Sequence, residues 1–275
     1  MIPDYENMLE AIYRVLLQNG DIAIDIGAHT GRHTFPMLEA VGTTGKVIAF
    51  EPLEFAYAEL QRRAGHDIDS HKSTLVAYNL ALGEEEGAVQ FVYTPDFPEY
   101  SGFKERIYHD DSIRKETIKV QVRRLDSYLA TIGGKVRYIK VDAEGGELTI
   151  LRGGLEIIKE SLPVISFELG DSSLVNYTYS SADYFEFFDS LGYNLFSIYG
   201  LPLSKNQFIA ACSEQFYWDY IAIPNRGAWL FGHNHVKVLA NQLNCSDHLT
   251  NKLPDIVEPV VQAGIYKKIY RRLFS

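Results

Sequence analysis

Three stretches near the start of the chain predict an α/β fold, built on a mostly parallel sheet with helices on both faces. The first is Asp21-Ile22-Ala23-Ile24-Asp25-Ile26-Gly27, where Ile22, Ile24 and Ile26 alternate with small or charged residues and stop at a glycine. The second is Lys46-Val47-Ile48-Ala49-Phe50, an apolar run closed by Glu51-Pro52, and the third is Thr74-Leu75-Val76-Ala77-Tyr78. Segments of helical spacing separate them. Strands alternating with helices in this way imply parallel pairing through right-handed crossovers.

Taken in order, residues 4–18 place Met8, Leu9, Ile12, Val15 and Leu16 at helical spacing, and Asn19-Gly20 is a stop signal before the first strand. After the turn at residues 27–31, a helix is expected over residues 30–39, with Phe35, Leu38 and Val41 as its apolar stripe. Pro36 falls in its first turns, where a missing N–H does least harm. Phe55, Ala56, Leu60 and Ala64 mark a second crossover helix. Asn79-Leu80-Ala81-Leu82-Gly83 follows the third strand, as a strand-end turn or as part of a ligand-binding edge.

Residues 88–93 and 117–122 alternate like antiparallel strands around a polar segment, 94–116. A connection of this length inside a compact domain is usually functional or mobile. It reads as a substrate lid lined by Tyr100, Ser101, Gly102, Phe103 and His109, or as a surface excursion. Arg123 and Arg124 face an anionic acceptor group or only solvent, and Asp126 is a candidate cap for the short helix that follows. Residues 136–142 and 163–168 make the fourth and fifth strands, residues 183–191 a buried helix, and residues 193–198 and 216–223 the last two strands.

The length of 275 residues suits one domain, 1–224, closed by Pro224, with an appendage at 225–275. With 46% apolar and 23% charged residues the composition is that of a globular protein. A net charge of −10 argues against nucleic acid as a partner. Cys212 and Cys245 are too few for a disulfide framework, which points to a cytoplasmic setting. Asp4, Glu6 and Glu10 are unlike a secretory leader, and no apolar run approaches the ~20 residues of a membrane span. The last segment, residues 265–274, reads as a docked terminal helix or as a basic amphipathic helix touching a membrane surface or a partner subunit.

Strand, glycine turn and helix together leave unpaired N–H groups above the first strand, a setting for a nucleotide-like ligand. Glu51 lies 24 positions after Gly27, close to the roughly 20-residue interval that sets an acid on a ribose diol. The glycines read Gly27-x-x-x-Gly31 and lack the dinucleotide pattern, so the pocket suits a nucleoside without a diphosphate. A Tyr100-x-x-x-Lys104 match to dehydrogenases sits in a turn-like loop and is discounted.

Four blocks in order then resemble the FkbM-type methyltransferases: Asp25-Ile26-Gly27-Ala28-His29-Thr30-Gly31, Ala49-Phe50-Glu51-Pro52, Asn79-Leu80-Ala81-Leu82-Gly83 and Tyr138-Ile139-Lys140-Val141-Asp142-Ala143-Glu144-Gly145. The resemblance covers residues 20–170, fades through 224 and says little about the tail. It implies a Rossmann-like class I methyltransferase sandwich, a mostly parallel seven-stranded sheet with an antiparallel last strand. It also implies S-adenosyl-L-methionine as cofactor, held by Asp25, Gly27, Ala28, His29, Gly31, Glu51, Pro52, Asn79, Leu80 and Asp142. The implied acceptor is a hydroxyl on a sugar, glycan or secondary metabolite.

Methyl transfer to oxygen needs the acceptor held in line and its proton removed. Lys140, Asp142, Glu144 and Glu168, at the ends of the fourth and fifth strands, are the catalytic candidates. Alternation puts Lys140 and Asp142 on one side, about 6–7 Å apart along the strand. The carboxylates act as bases, share a divalent cation such as Mg²⁺, or cap the following helices. His29 and His33 have the i,i+4 spacing of a zinc pair but no third ligand, and a second pair, His233 and His235, is equally unsupported. A catalytically silent binding protein, an NAD-dependent dehydrogenase and a homo-oligomeric state are the alternatives left open.

Overall fold

The computed structural model describes residues 4–67, 74–105 and 113–225. The expected appendage lies outside these residues apart from Asn225, and so do His109, His233, His235, Cys245 and the basic tail.

Helix α1 (Tyr5–Leu16) starts on the Asp4 carboxylate, which accepts the Asn7 N–H at 3.1 Å. Strand β1 (Ile22–Ile26) leads through tight turns into α2 (Thr34–Val41). That helix begins four residues later than its apolar stripe predicts, because Gly27, His29 and Gly31 all take positive φ and coil residues 27–33 before helical geometry can start. Strand β2 (Lys46–Phe50), α3 (Glu54–Asp67) and β3 (Thr74–Tyr78) complete the first half.

A small second sheet follows, made of β4 (Ala81–Leu82), β5 (Gly87–Tyr93) and β6 (Glu116–Arg123). Strands β5 and β6 pair antiparallel, as their alternation predicts, and the two-residue β4 pairs parallel to β6. A 3₁₀ turn over Leu125–Tyr128 then precedes α4 (Leu129–Ile132). Asp126 does not cap this turn: its carboxylate accepts the N–H groups of Glu156 and Ile157 at 3.3 and 3.1 Å, at the start of the later helix Leu155–Ser161. A cap is a spatial relation, and Asp126 reaches a helix 30 residues away.

Strand β7 (Val136–Val141), α5 (Glu147–Gly153), α6 (Leu155–Ser161), β8 (Val164–Glu168), α7 (Asp171–Leu174), α8 (Ser181–Ser190), β9 (Tyr193–Ser197), β10 (Pro202–Leu203), α9 (Lys205–Ser213) and β11 (Asp219–Pro224) finish the described chain.

The large sheet has the order β10-β9-β11-β8-β7-β1-β2-β3. Strands β3, β2, β1, β7 and β8 are parallel, while β11 runs antiparallel to both β8 and β9. This is the expected parallel sheet with its reversed last strand, widened from seven strands to eight by β10 at the edge.

Alternation splits the core between the two faces. Ile24, Ile26, Ile48, Phe50, Ile139 and Val141 pack on one side against α5, α6 and α8, and Ala23, Val47, Ala49 and Tyr138 pack on the other with α1 and α2. Burial on both faces explains why the parallel strands read as nearly continuous apolar runs.

Candidate active site

The carboxyl ends of β1, β2 and β7 meet where open α/β sheets bind ligands. Gly27 takes φ +74° directly after β1. A Cβ there would overlap the Asp142 carbonyl oxygen, so only glycine lets the β1 and β7 ends close together. Asp25, fully buried within β1 two residues earlier, accepts the Thr34 hydroxyl at 2.5 Å and ties β1 to the start of α2.

At the end of β2, Glu51 is 4% exposed and its side chain turns into the pocket rather than into solvent. Its two oxygens accept the N–H groups of His29 and Leu53, each at 2.8 Å. Burial pushes this carboxyl up to about 7 against those two hydrogen bonds. Each oxygen keeps a further lone pair for a ligand hydroxyl. His29 thus contributes its backbone N–H to Glu51, and its ring packs edge-on against Phe55 at 5.9 Å.

Gly27, Glu51, Pro52, Leu53, Leu80, Phe91, Ser101, Phe103, Asp142 and Glu144 are among the walls of a cleft of about 710 Å³, part of it open to solvent. Four of the predicted cofactor residues sit back from it, Asp25 among them, its carboxylate accepting from Thr34. Asn79 donates to the carbonyls of Glu51 and Pro52 at 3.0 and 3.2 Å, so it shapes the loop after β2 and does not line the pocket. Ala28 and Gly31 likewise belong to the turn and not to the pocket wall.

Residues 94–105, the described start of the polar segment after β5, run along the cleft. Gly102 bridges back to Val92, the Thr94 N–H donates to the Ser101 hydroxyl at 3.1 Å, and Phe103 packs edge-on against Phe91 at 5.6 Å. Pro98, Ser101 and Phe103 thereby form part of the pocket wall. Arg123 and Arg124 point elsewhere: they bind the Glu86 carboxylate at 3.0 Å and the Glu84 carbonyl at 2.6 Å.

The predicted catalytic residues gather beside this pocket. Lys140 is 5% exposed and its Nζ lies 3.0 Å from Asp142 Oδ2, so it braces Asp142 from below without lining the pocket. Burial alone would push the Lys140 ammonium down, but Asp142 and Asp25 outweigh burial and hold it above its ordinary value. Asp142, Glu144 and Glu168 each bring a carboxylate oxygen within 4.8 Å of the others. Burial, with Asp142 and Glu144 adding their charge, raises the Glu168 carboxyl well above the usual range.

Two acids in this region escape sequence reasoning. Asp219 stands opposite Glu168 in the β8–β11 register, and burial together with Asp142 pushes it up to about 8. An antiparallel last strand begins at the edge where its parallel neighbours end, so an acid just before Tyr220-Ile221-Ala222-Ile223 was the available signal. Glu147, 1% exposed, accepts the Ala143 and Gly145 N–H groups at 2.9 and 3.1 Å and the Tyr184 hydroxyl at 3.0 Å. The His29–His33 spacing marks no zinc pair: His33 Nδ1 is 3.1 Å from the Tyr13 hydroxyl and its Nε2 is 2.6 Å from Glu6, on the α1 side.

A mostly parallel sheet with β11 reversed beside β8, β10 reversed at its edge, and a pocket across the ends of β1, β2 and β7 defines a Rossmann-like fold of the class I methyltransferase type. The methyltransferase FkbM domain model matches residues 25–195, and the chain belongs to that family. Methyltransferase 1 of Beauveria bassiana (strain ARSEF 2860) is 26% identical over 150 residues, a match covering 47% of this chain and 57% of that relative's length. The chain thus spans little more than half of that curated relative.

Among solved structures, a methyltransferase FkbM from Methylobacillus flagellatus KT aligns over 81% of this chain and 56% of its own, with 16% identity and a TM-score of 0.46. An S-adenosylmethionine-dependent O-methyltransferase of Thermotoga maritima aligns over 82% and 66%, with 13% identity and a TM-score of 0.40.

Proposed function

We propose that this methyltransferase-family chain uses S-adenosyl-L-methionine to methylate an oxygen of a small-molecule acceptor, a sugar, glycan or secondary metabolite. The observation that carries the reading is Glu51, a buried carboxylate fixed by two backbone N–H groups with its remaining lone pairs on the pocket side. A vicinal diol is the group that two such acceptors suit. The Gly27 turn, which a Cβ would fill, leaves room for a nucleoside to lie close against the backbone.

When bound, the cofactor supplies an electrophilic methyl group on a sulfonium. The chain has to hold the acceptor hydroxyl in line with that carbon and take up its proton. Asp142 serves as base: it lies at the pocket edge, and the buried Lys140 ammonium at 3.0 Å fixes its orientation. Glu144 lines the same wall, and Glu168 completes the acidic edge. Phe103 and Ser101 close the cleft over the acceptor and keep water from competing for the methyl group.

A second reading adds a divalent cation, favoured by the mutual approach of Asp142, Glu144 and Glu168. Hard oxygen donors of this kind suit Mg²⁺, which would acidify an acceptor hydroxyl. The net charge of −10 favours a small acceptor over nucleic acid, and the scarcity of cysteine favours a cytoplasmic setting.

The test is a titration with S-adenosylhomocysteine followed by a radiolabelled methyl-transfer screen over glycans and hydroxylated metabolites, with Mg²⁺ and with chelator. Binding plus transfer supports the enzyme, and activity that survives chelation removes the cation. Binding with no transfer to any acceptor favours the silent binding protein, and stabilisation by NAD alone overturns the reading.

A further inference from the structure

The loop that carries Asp142 and Glu144 is not held by its own backbone alone. Glu144 takes φ +51° and Gly145 φ +96°, two successive left-handed residues, the first bearing a side chain. For a residue with a side chain such a conformation is strained and persists only where surrounding contacts over-determine it. The contacts here come from behind the loop. Glu147 Oε1 accepts both the Ala143 and the Gly145 N–H, while Oε2 accepts the Tyr184 hydroxyl at 3.0 Å. The Tyr179 hydroxyl donates to the Gly145 carbonyl at 2.7 Å. Tyr184 is fully buried and Glu147 nearly so.

A carboxylate in such a place is costly unless its hydrogen bonds do something an apolar side chain cannot. An apolar residue at 147 would fill the same space but leave two loop N–H groups without an acceptor.

From this geometry we infer that Glu147, backed by Tyr184 on α8, is a positioning residue that sets the direction of the Asp142 and Glu144 carboxylates. It has no place in the pocket wall. It acts through the loop, which the lid contacts from the other side: a Cβ on Gly102 would come 3.2 Å from the Glu144 Cβ, and one on Gly146 would come 3.0 Å from the Phe103 ring.

This inference rests on the functional reading above, and its test separates the two. S-adenosylhomocysteine is titrated into wild type, Glu147→Ala, Glu147→Gln, Asp142→Asn and the Glu147→Ala/Asp142→Asn double variant, with backbone hydrogen exchange followed across residues 143–147. Glu147→Ala should weaken binding about 3- to 10-fold and speed exchange at Ala143 and Gly145. Glu147→Gln, which keeps an acceptor oxygen, should restore most of both. The double variant should bind no more weakly than the worse single variant, since groups acting through one another are non-additive.

Additive losses, or wild-type affinity and exchange in a folded Glu147→Ala, overturn the positioning role. Should Glu147→Ala fail to fold, Tyr184→Phe carries the same exchange test, and unchanged exchange there overturns the role. Wild-type protein that does not bind S-adenosylhomocysteine sinks the functional reading instead, while the exchange data still decide the clamp.

Discussion

At the scale of single residues, Glu51 links burial to ligand chemistry. Its carboxyl is pushed up to about 7, so at neutral pH it is only partly ionised, whereas the proposed diol, donating two hydroxyls to it, would favour its ionised form. Affinity for S-adenosylhomocysteine should therefore rise as pH goes from 6 to 8, and Glu51→Gln should flatten that dependence; calorimetry at several pH values reads both. An equally flat wild-type curve would detach Glu51 from the diol. Glu51→Ala should cost on the order of 1.5–3 kcal/mol of binding, the worth of a hydrogen bond to a charged group. Alternation placed Lys140 and Asp142 on one side correctly but left both free to face the pocket; the structure pairs them at 3.0 Å and buries the lysine. Spacing along a strand does not reveal which of two neighbouring charges spends itself on the other.

At the scale of elements, the two tight turns flanking the pocket and the helix cap at Asp126 make separate predictions. Gly27→Ala must both hold φ +74° and displace the Asp142 carbonyl, so it should lower the melting temperature sharply and abolish cofactor-analogue binding; a variant melting within a few degrees of wild type contradicts the close approach of β1 and β7. Asp126→Ala removes an acceptor from the first N–H groups of α6 and should cost about 1 kcal/mol, or roughly 2–4 °C, with no change in ligand affinity. Loss of affinity in that variant would mean that α6 reaches the site. The residues 27–33 turn also shows why a helix start is hard to read from apolar spacing: Phe35, Leu38 and Val41 mark the buried face, whereas the positive φ values that delay the helix leave no apolar signature.

At the scale of the whole molecule, the folded chain concentrates carboxyl groups that burial keeps from ionising. Glu51 and Glu147 rise to about 7 and Asp219 to about 8, against ordinary carboxyl values near 4 in the unfolded chain. Between those values the folded state binds more protons than the unfolded one, so stability falls as pH rises. The contribution is fully present below about pH 4 and is lost as pH climbs through 7 to 8. Glu6, drawn down to about 2 by His33, works the opposite way only below about pH 4.5. Melting temperature without ligand should therefore drop from pH 5 to pH 8, and a Glu51→Gln/Glu147→Gln double variant should reduce the slope. A melting curve that climbs over that interval would show that these acids are not buried as described.

The amino-acid sequence by itself determined the βαβαβ core, the glycine turn, the acid at the end of β2 and the β5–β6 pair. Each of these is a local matter, set by alternation over a few residues or by a turn only glycine can make. Tertiary structure decided what depends on distant parts of the chain meeting. Asp126 caps a helix 30 residues on, Asn79 shapes the loop after β2, and Tyr184 reaches Glu147 from α8. Asp219 joins the acidic edge because β11 runs backwards beside β8. Hydrophobic period reports which face of an element is buried; it carries no record of which polar group stands across from it.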